Sequence, residues 1–359
     1  MTKKILFVTY KLQNYRIPIF NIIGAKEDIE LTVLHSDKLS ESKNKAFKEI
    51  TIPYKKIGPL TFYDKSFREL IKSYDVVVCM FYLQNMSFFR LILSKKRSFK
   101  LIFWGIGVRA SYESNFDAPT FFNRIRSFWA KKSDAMIFYT QYAKDKYIRE
   151  GFSANKLFVM HNTVEVNNYK EDVSLRKDLL FIGTLYKSKK IFELLEAYEF
   201  AKQSTPKMPK LNIVGKGDEF DNIKNWIENT NNQNNIILHG AIYDEDILEK
   251  MFTTSIACFS PGQAGLSVLK SFGYGVPFIT HENAITGGER LNIIDGVNGI
   301  LFKKDDDLKD ILIDISLNPS KFVTMGENAK KFYDNERTPE NMANGFIDAV
   351  DYTLNLKTK

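Results

Sequence analysis

The 359-residue chain is too long for one ordinary core and fits two domains of roughly 150–200 residues each. With 44% hydrophobic and 26% charged residues its composition is globular, which excludes a largely disordered chain. The net charge of +8 is uneven: residues 1–150 hold 27 Lys and Arg against 14 Asp and Glu, and the remainder holds 24 against 29, so the first part is expected to face something anionic. No nucleic-acid recognition motif accompanies this charge, whereas an anionic membrane surface needs only basic residues interleaved with aromatics. Nothing at the N-terminus reads as a signal peptide, and no apolar run approaches the ~18 residues of a membrane span. A cytoplasmic protein, peripheral at the inner face of the membrane, is the expectation. Cys79 and Cys258 fall in different predicted strands and domains, which predicts reduced, buried thiols and neither a disulfide nor a metal site.

In chain order, residues 5–9 form the first predicted strand, and a helix starts near Pro18. The loop between them carries Asn14, Tyr15 and Arg16 but no glycine, so a dinucleotide fingerprint is absent. Strands follow at 29–35, 50–53, 75–80 and 100–104, with a polar, lysine-rich and mobile connection at 40–48. Apolar strands alternating with helical segments predict an α/β fold with a parallel sheet. The loop GIGVRASYES, 105–114, lies at the carboxyl end of a strand, where open α/β sheets bind ligands; its Arg109 can meet a phosphate or acceptor, or form a structural ion pair. FFNRIRSFWAKK, 121–132, places aromatics at helical spacing among basic residues, the profile of a membrane-interface helix and equally of a helix packing on its own sheet. Residues 81–100 raise the same alternative. A strand at 135–140, a polar helix to about Gly151 and a strand at 157–160 complete a first domain, with a linker at 165–176.

The second domain opens at 179–198 as strand, lysine-rich loop and helix. Segments 211–223 and 236–252 repeat that pattern with turns at Gly215, Gly217 and Gly240, the second helix being capped by Asp244. An apolar strand at 255–259 breaks at Ser260, Pro261 and Gly262. A helix runs from Gly265 through Phe272, and a further strand occupies 276–279. This strand, glycine loop, helix and strand present free backbone N–H groups at a helix N-terminus, an arrangement that attracts phosphate.

These motifs resemble the donor-binding signature of retaining family 4 glycosyltransferases of the bacterial surface-polysaccharide type. Ser260, Pro261, Gly265, Leu266, Gly275, Pro277 and Ile279 match its frame, while Gly262 and Lys270 stand where the family has two glutamates, a departure shared by a subset of bacterial polysaccharide transferases. Gly183, Leu185 and Lys189 fit a second motif, in which Thr184 replaces an arginine and Lys187 is the candidate for the second charge. The resemblance implies a donor-phosphate site at Thr184, Lys187, Lys189, Gly265, Leu266 and Ser267, with the donor sugar at Gly262, Gln263 and Ala264. It places the nucleoside at Gly215, Gly217, Ala241, Ile242 and Lys270. Tyr15, Arg16 and Arg109 take the acceptor side, and Lys189 and Arg109 are the catalytic candidates. Ile106 holds the place of a family histidine. Because Lys270 has only donors and cannot accept from a ribose diol, Glu289 becomes the candidate for that task, with Glu282 second; capping of its own helix is the alternative role for Glu289.

The implied fold is GT-B: two Rossmann-like domains, 1–168 and 169–338, facing across a cleft, with a helix in 339–359 crossing back to the first. The implied activity is transfer of a sugar from a UDP- or GDP-linked donor to a glycan or lipid-linked acceptor, with retention of configuration and without cofactor or metal. A nucleotide-sugar epimerase of the same fold and a non-catalytic nucleotide-sugar-binding partner are the alternatives.

Overall fold

The computed structural model describes residues 2–42, 44–93, 97–109, 116–117, 121–169 and 172–355. It divides into two compact units, the first made of Met1–Gly107, Ala118–Asn162 and Pro339–Lys359, the second of Val108–Asp117 and Thr163–Thr338. The chain passes from the first unit to the second after Asn162 and returns to the first at Pro339, and the short segment after Gly107 groups with the second.

The strands of unit 1 are Lys3–Val8 (β1), Ile29–His35 (β2), Lys48–Thr51 (β3), the hairpin Tyr54–Ile57 (β4) and Leu60–Tyr63 (β5), Val76–Met80 (β6), Lys100–Gly105 (β7), Ala135–Phe138 (β8) and Leu157–Val159 (β9). Seven of them form a parallel sheet in the order β3-β2-β1-β6-β7-β8-β9. The continuous apolar runs are explained by burial on both sheet faces: Val76 through Cys79 and Leu101 through Trp104 are all buried. The antiparallel hairpin was not anticipated from the sequence.

Pro339 opens the last helix, Pro339–Asn355, where its missing N–H is of no consequence. Met342, Ala343, Phe346, Ala349 and Val350 recur at helical spacing and enter the unit 1 core beside Phe7, Trp104 and Ile137. Outside that core, Lys3 Nζ lies 2.7 Å from both Asp351 and Asp28, tying this helix to β1 and the turn before β2.

The 40–48 connection, expected to be mobile, is instead anchored on both sides of residue 43. Buried Glu49 accepts from His35 Nε2 at 2.7 Å, from the Ser40 N–H at 2.7 Å and from Lys45 Nζ, and Phe47 enters the core. His35 Nδ1 accepts from the Asp37 N–H, so the ring proton sits on Nε2 and points at the carboxylate. Burial alone would raise the Glu49 pKa, but these donors outweigh it and hold it at about 2.

Unit 2 contains Asp178–Ile182 (β10), Leu211–Val214 (β11), Ile236–Gly240 (β12), Ser255–Phe259 (β13), Gln263–Ala264 (β14), Phe278–His281 (β15), Ile285–Thr286 (β16) and Gly299–Phe302 (β17). The main sheet is parallel, in the order β12-β11-β10-β13-β15-β17, and β14 pairs with β16 beside it. Strand order reverses between β10 and β13, so the loops leaving those two strands flank a topological switch point, where open α/β sheets hold ligands. Both cysteines are free and buried, Cys79 in β6 and Cys258 in β13.

Replacing Phe346, fully buried and 6.4 Å from the Phe7 ring, with Ala should destabilise unit 1 by about 3–5 kcal/mol, measured as a lower denaturation midpoint. Glu49→Gln should lower stability at neutral pH by about 1–3 kcal/mol. The Glu49 pKa is depressed from 4.5 in the folded state, so its contribution is present above about 4.5 and is lost as pH falls through about 2. Wild type and variant should therefore converge in thermal midpoint over that acid range, and a constant difference would exclude the ionised carboxylate as the source.

Candidate functional site

The loop leaving β10, Gly183 to Lys190, is pinned by its main chain. Gly183 N–H bonds Val214 O at 3.0 Å, Leu185 N–H bonds Lys216 O at 3.0 Å, and Leu185 O accepts from Glu219 N–H at 3.0 Å. Such close strapping requires bare backbone on the neighbouring turn. A Cβ at Gly215 would stand 1.9 Å from Gly183 O, and one at Gly217 2.4 Å from Leu185 O. The far end of the loop is fastened to the loop leaving β13, where Gly262 N–H donates to Lys189 O at 3.0 Å. A Cβ at Gly262 would meet Ser188 O at 2.1 Å, so any side chain there, the family's glutamate included, collides with this loop as it stands.

Between the two loops lies a pocket of about 440 Å³. Its walls include Thr184, Tyr186 and Lys189 from the first loop, Gln263, Gly265, Leu266 and Ser267 from the second, and Lys270 from the helix Ser267–Gly273. Lys189 is only 8% exposed. Burial lowers its pKa from the ordinary 10.5, the neighbouring Cys258 acts weakly the other way, and among the described residues it pairs with no carboxylate. Burial pushes the Cys258 thiol up to about 12, which leaves it a neutral wall behind the lysine. An ammonium held dry and unpaired is an anion receptor. At the head of helix Ser267–Gly273 the Val268 and Lys270 N–H groups are taken by Gly265 O and Leu266 O, both at 3.0 Å, so the N–H groups that add to that character are those of Gly265 to Ser267.

Lys270 is differently placed. Its Nζ lies 2.5 Å from Glu245 Oε2, so its charge is already matched from the helix Glu245–Thr253.

Seven of the residues expected at the donor site therefore share one pocket: Thr184, Lys189, Gln263, Gly265, Leu266, Ser267 and Lys270. Others do not line it. Lys187 is exposed outside it. Gly262, Gly215 and Gly217 serve the loop packing just described. Ala264 is fully buried in the core, and Ile242 packs against the same core, with Ala241 beside it on the β12 loop. Glu289 turns back on its own segment, its Oε2 accepting from the Gly287 N–H at 3.1 Å and the Thr286 hydroxyl at 3.3 Å at the head of a short 3-10 turn. This is the local capping alternative rather than a place on the pocket wall.

Arg109 is exposed, its backbone paired with Asp117 through Asp117 N–H to Arg109 O at 3.0 Å, and residues 110–115 of its loop lie outside the described residues. Tyr15 and Arg16 belong to unit 1.

Three wall residues escaped the sequence reading: Ile182, Tyr186 and Val164. Ile182 and Tyr186 flank the recognised loop motif and were open to it. Val164 had no local signal, because it arrives through a tertiary contact, its carbonyl accepting from Tyr333 Oη at 2.7 Å.

Residues 168–332, the bulk of unit 2, match the family model of the glycosyl transferases group 1. The chain is 27% identical over 168 residues to the poly(glycerol-phosphate) alpha-glucosyltransferase of Bacillus subtilis, a match covering 46% of this chain and 24% of that protein. It is 25% identical over 217 residues to an uncharacterized glycosyltransferase of Methanocaldococcus jannaschii, covering 56% and 54%. The matched stretches thus span about a quarter and about half of these relatives' lengths. Among solved structures, S. aureus TarM in complex with fondaparinux, alpha-GlcNAc-glycerol and UDP is similar with a TM-score of 0.71 at 13% identity, covering 99% of this chain and 100% of that one. With its two parallel-sheet α/β units the chain has the GT-B fold, and residues 168–332 are similar to the glycosyl transferases group 1.

Proposed function

We propose that this protein is a retaining glycosyltransferase that moves a sugar from a nucleoside-diphosphate sugar to a glycan or lipid-linked acceptor. The observation that carries the reading is Lys189: a buried, unpaired ammonium on the wall of a 440 Å³ pocket, at the switch point of the sheet and inside the family-matched stretch. Two relatives support the substrate class. One is named as an alpha-glucosyltransferase acting on poly(glycerol-phosphate), and the other was solved with UDP and alpha-GlcNAc-glycerol.

In this reading the bond between the anomeric carbon and the donor phosphate oxygen breaks, leaving an oxocarbenium-like sugar and a nucleoside diphosphate. Lys189 and the amides at Gly265, Leu266 and Ser267 stabilise the charge that develops on the leaving phosphate, and these fixed groups take the place of a metal. The acceptor hydroxyl attacks the face the phosphate has left, and its proton passes to the phosphate oxygen, so configuration is retained and charge balances. Lys270, matched by Glu245, contributes shape and hydrogen-bond donors more than net charge.

A location at the cytoplasmic face of an anionic membrane is the companion proposal. Among the described residues no helix is long and apolar enough to cross a membrane. On the helix Phe121–Ala130, Phe128 is 57% exposed with Lys132 Nζ 5.5 Å from its ring; the side chains at 121–124 of the expected apolar face lie outside the described set. Salt-sensitive binding to vesicles containing anionic lipid, weakened by Phe128→Ser, is the expected result. Equal partitioning onto neutral vesicles would remove the proposal.

The transferase reading is tested by incubating the protein with a panel of nucleotide sugars, with and without chelator. Release of nucleoside diphosphate and free or transferred sugar, unaffected by chelator, is expected; an altered sugar would indicate an epimerase, and binding without turnover a non-catalytic partner. Lys189→Ala should slow turnover by about 10²–10³-fold and weaken nucleoside diphosphate binding. Only the ammonium form attracts the diphosphate, so wild-type affinity should decline as pH rises through the lowered pKa of Lys189, below the ordinary 10.5. Unchanged affinity and turnover in the variant would remove Lys189 from the site.

A further inference from the structure

Unit 1 contains a second cation held without a counter-charge. Arg16 follows the carboxyl end of β1 and is 9% exposed. Its guanidinium carbon lies 4.4 Å from the Trp104 ring centroid, 5.2 Å from Tyr139 and 5.2 Å from Tyr15, so aromatic faces enclose it on several sides. One terminal nitrogen, Nη2, donates to Tyr139 Oη at 2.5 Å. The other, Nη1, is buried with no acceptor, and the indole Nε1 of the same Trp104 is likewise buried with none. Among the described residues no carboxylate pairs with this arginine. Aromatic faces offset part of the cost of drying a guanidinium, but they accept no hydrogen bond in its plane. Two neighbouring N–H donors left over beside one fixed positive charge call for a group that is both anionic and acceptor-only. The residues come from the ends of β1, β7 and β8, the carboxyl edge of the unit 1 sheet, and Arg16 itself caps the helix Ile17–Gly24, whose N-terminal end favours negative charge.

We propose that unit 1 holds an oxyanion-binding site centred on Arg16 and Trp104, and that it receives a phosphate or carboxylate carried by the acceptor. The assignment to an acceptor rests on the transferase reading above; the oxyanion site itself does not. It narrows the substrate class from any glycan to an acidic one, a phosphate-bearing polyol or a uronic acid.

The full-length protein, its unit 2 pocket filled with saturating UDP, would be titrated calorimetrically with inorganic phosphate, glycerol 3-phosphate and glucuronate, and with glycerol and glucose as uncharged controls. Binding of at least one oxyanion and of neither control is expected, and glycerol 3-phosphate against glucuronate decides between the two acceptor chemistries. Arg16→Met should weaken that binding on the order of tenfold or more. Trp104→Phe, which keeps an aromatic face and removes the N–H, should weaken it several-fold, and UDP affinity should stay at the wild-type value in both. Oxyanion binding that is absent from wild type, or equal in Arg16→Met, overturns the site. Should Arg16→Met fail to fold, Arg16→Lys and Trp104→Phe decide, since unaltered binding in both removes the fork geometry and the indole donor from the site. If UDP itself does not bind, the transferase reading fails separately, and the same titration in Lys189→Ala protein still tests the oxyanion site.

Discussion

Gly262 donates its N–H to the carbonyl of Lys189, and this 3.0 Å bond joins the loops that leave the two strands where the order of the unit 2 sheet reverses. The bond forms only because Gly262 carries no side chain, since a Cβ there would stand 2.1 Å from Ser188 O. The loop leaving β10 lies so close to its neighbours that Gly215 and Gly217 on one side and Gly262 on the other have no room for a Cβ. With the main chain fixed at Gly183, Leu185 and Lys189, the Lys189 side chain folds back beneath Gly183, its Nζ 3.4 Å from where a Cβ there would stand. Burial of the ammonium is thus a consequence of backbone packing. The pocket owes both its shape and its charge to glycines that do not line it.

The treatment of buried cations separates structural groups from receptive ones. Arg176 is buried and hydrogen-bonded to the carbonyls of Ser255 and Tyr274, and Arg337 is buried against Asn292 and Glu336. Lys270 is matched by Glu245. In these cases the fold supplies the acceptors that a dry cation requires. Among the described residues neither Lys189 nor Arg16 pairs with a carboxylate, and Arg16 has one acceptor, Tyr139 Oη, with Nη1 left over; they lie one in each unit, at the carboxyl edge of a parallel sheet. An uncompensated cation lowers stability, so its retention at such an edge marks a place where a ligand completes the electrostatics.

Lys270 and Gly262, the two positions at which the sequence departs from the pattern it resembles, are each accounted for by their surroundings. At Gly262 a side chain would collide with Ser188 O and displace the end of the β10 loop that carries Lys189, so the absence of a side chain keeps the lysine in place. At Lys270 the ammonium is neutralised by Glu245 on a neighbouring helix. The two changes are accommodated by packing in one case and by pairing in the other.

The sequence by itself determined the elements and their class. Runs such as Val76 to Cys79 and Ser255 to Phe259 are apolar on both faces because parallel strands are covered on both faces, and the loop motifs between residues 183 and 283 singled out residues that share one pocket, Lys189 among them. Periodicity and motif position record where a residue lies along the chain and what groups it carries. They do not record which other backbone comes against it. For that reason the close backbone packing at Gly215, Gly217 and Gly262 was not legible, Glu289 stayed open between a ribose diol and its own turn, to which it is hydrogen-bonded, and the connection around residue 45 reads as mobile and is held by Glu49. Val164 and the aromatic enclosure of Arg16 were invisible for the same reason. Rings from positions 15, 104 and 139 come together only when the unit 1 sheet assembles, and a hydroxyl from position 333 reaches Val164 only when the distant segments of unit 2 pack.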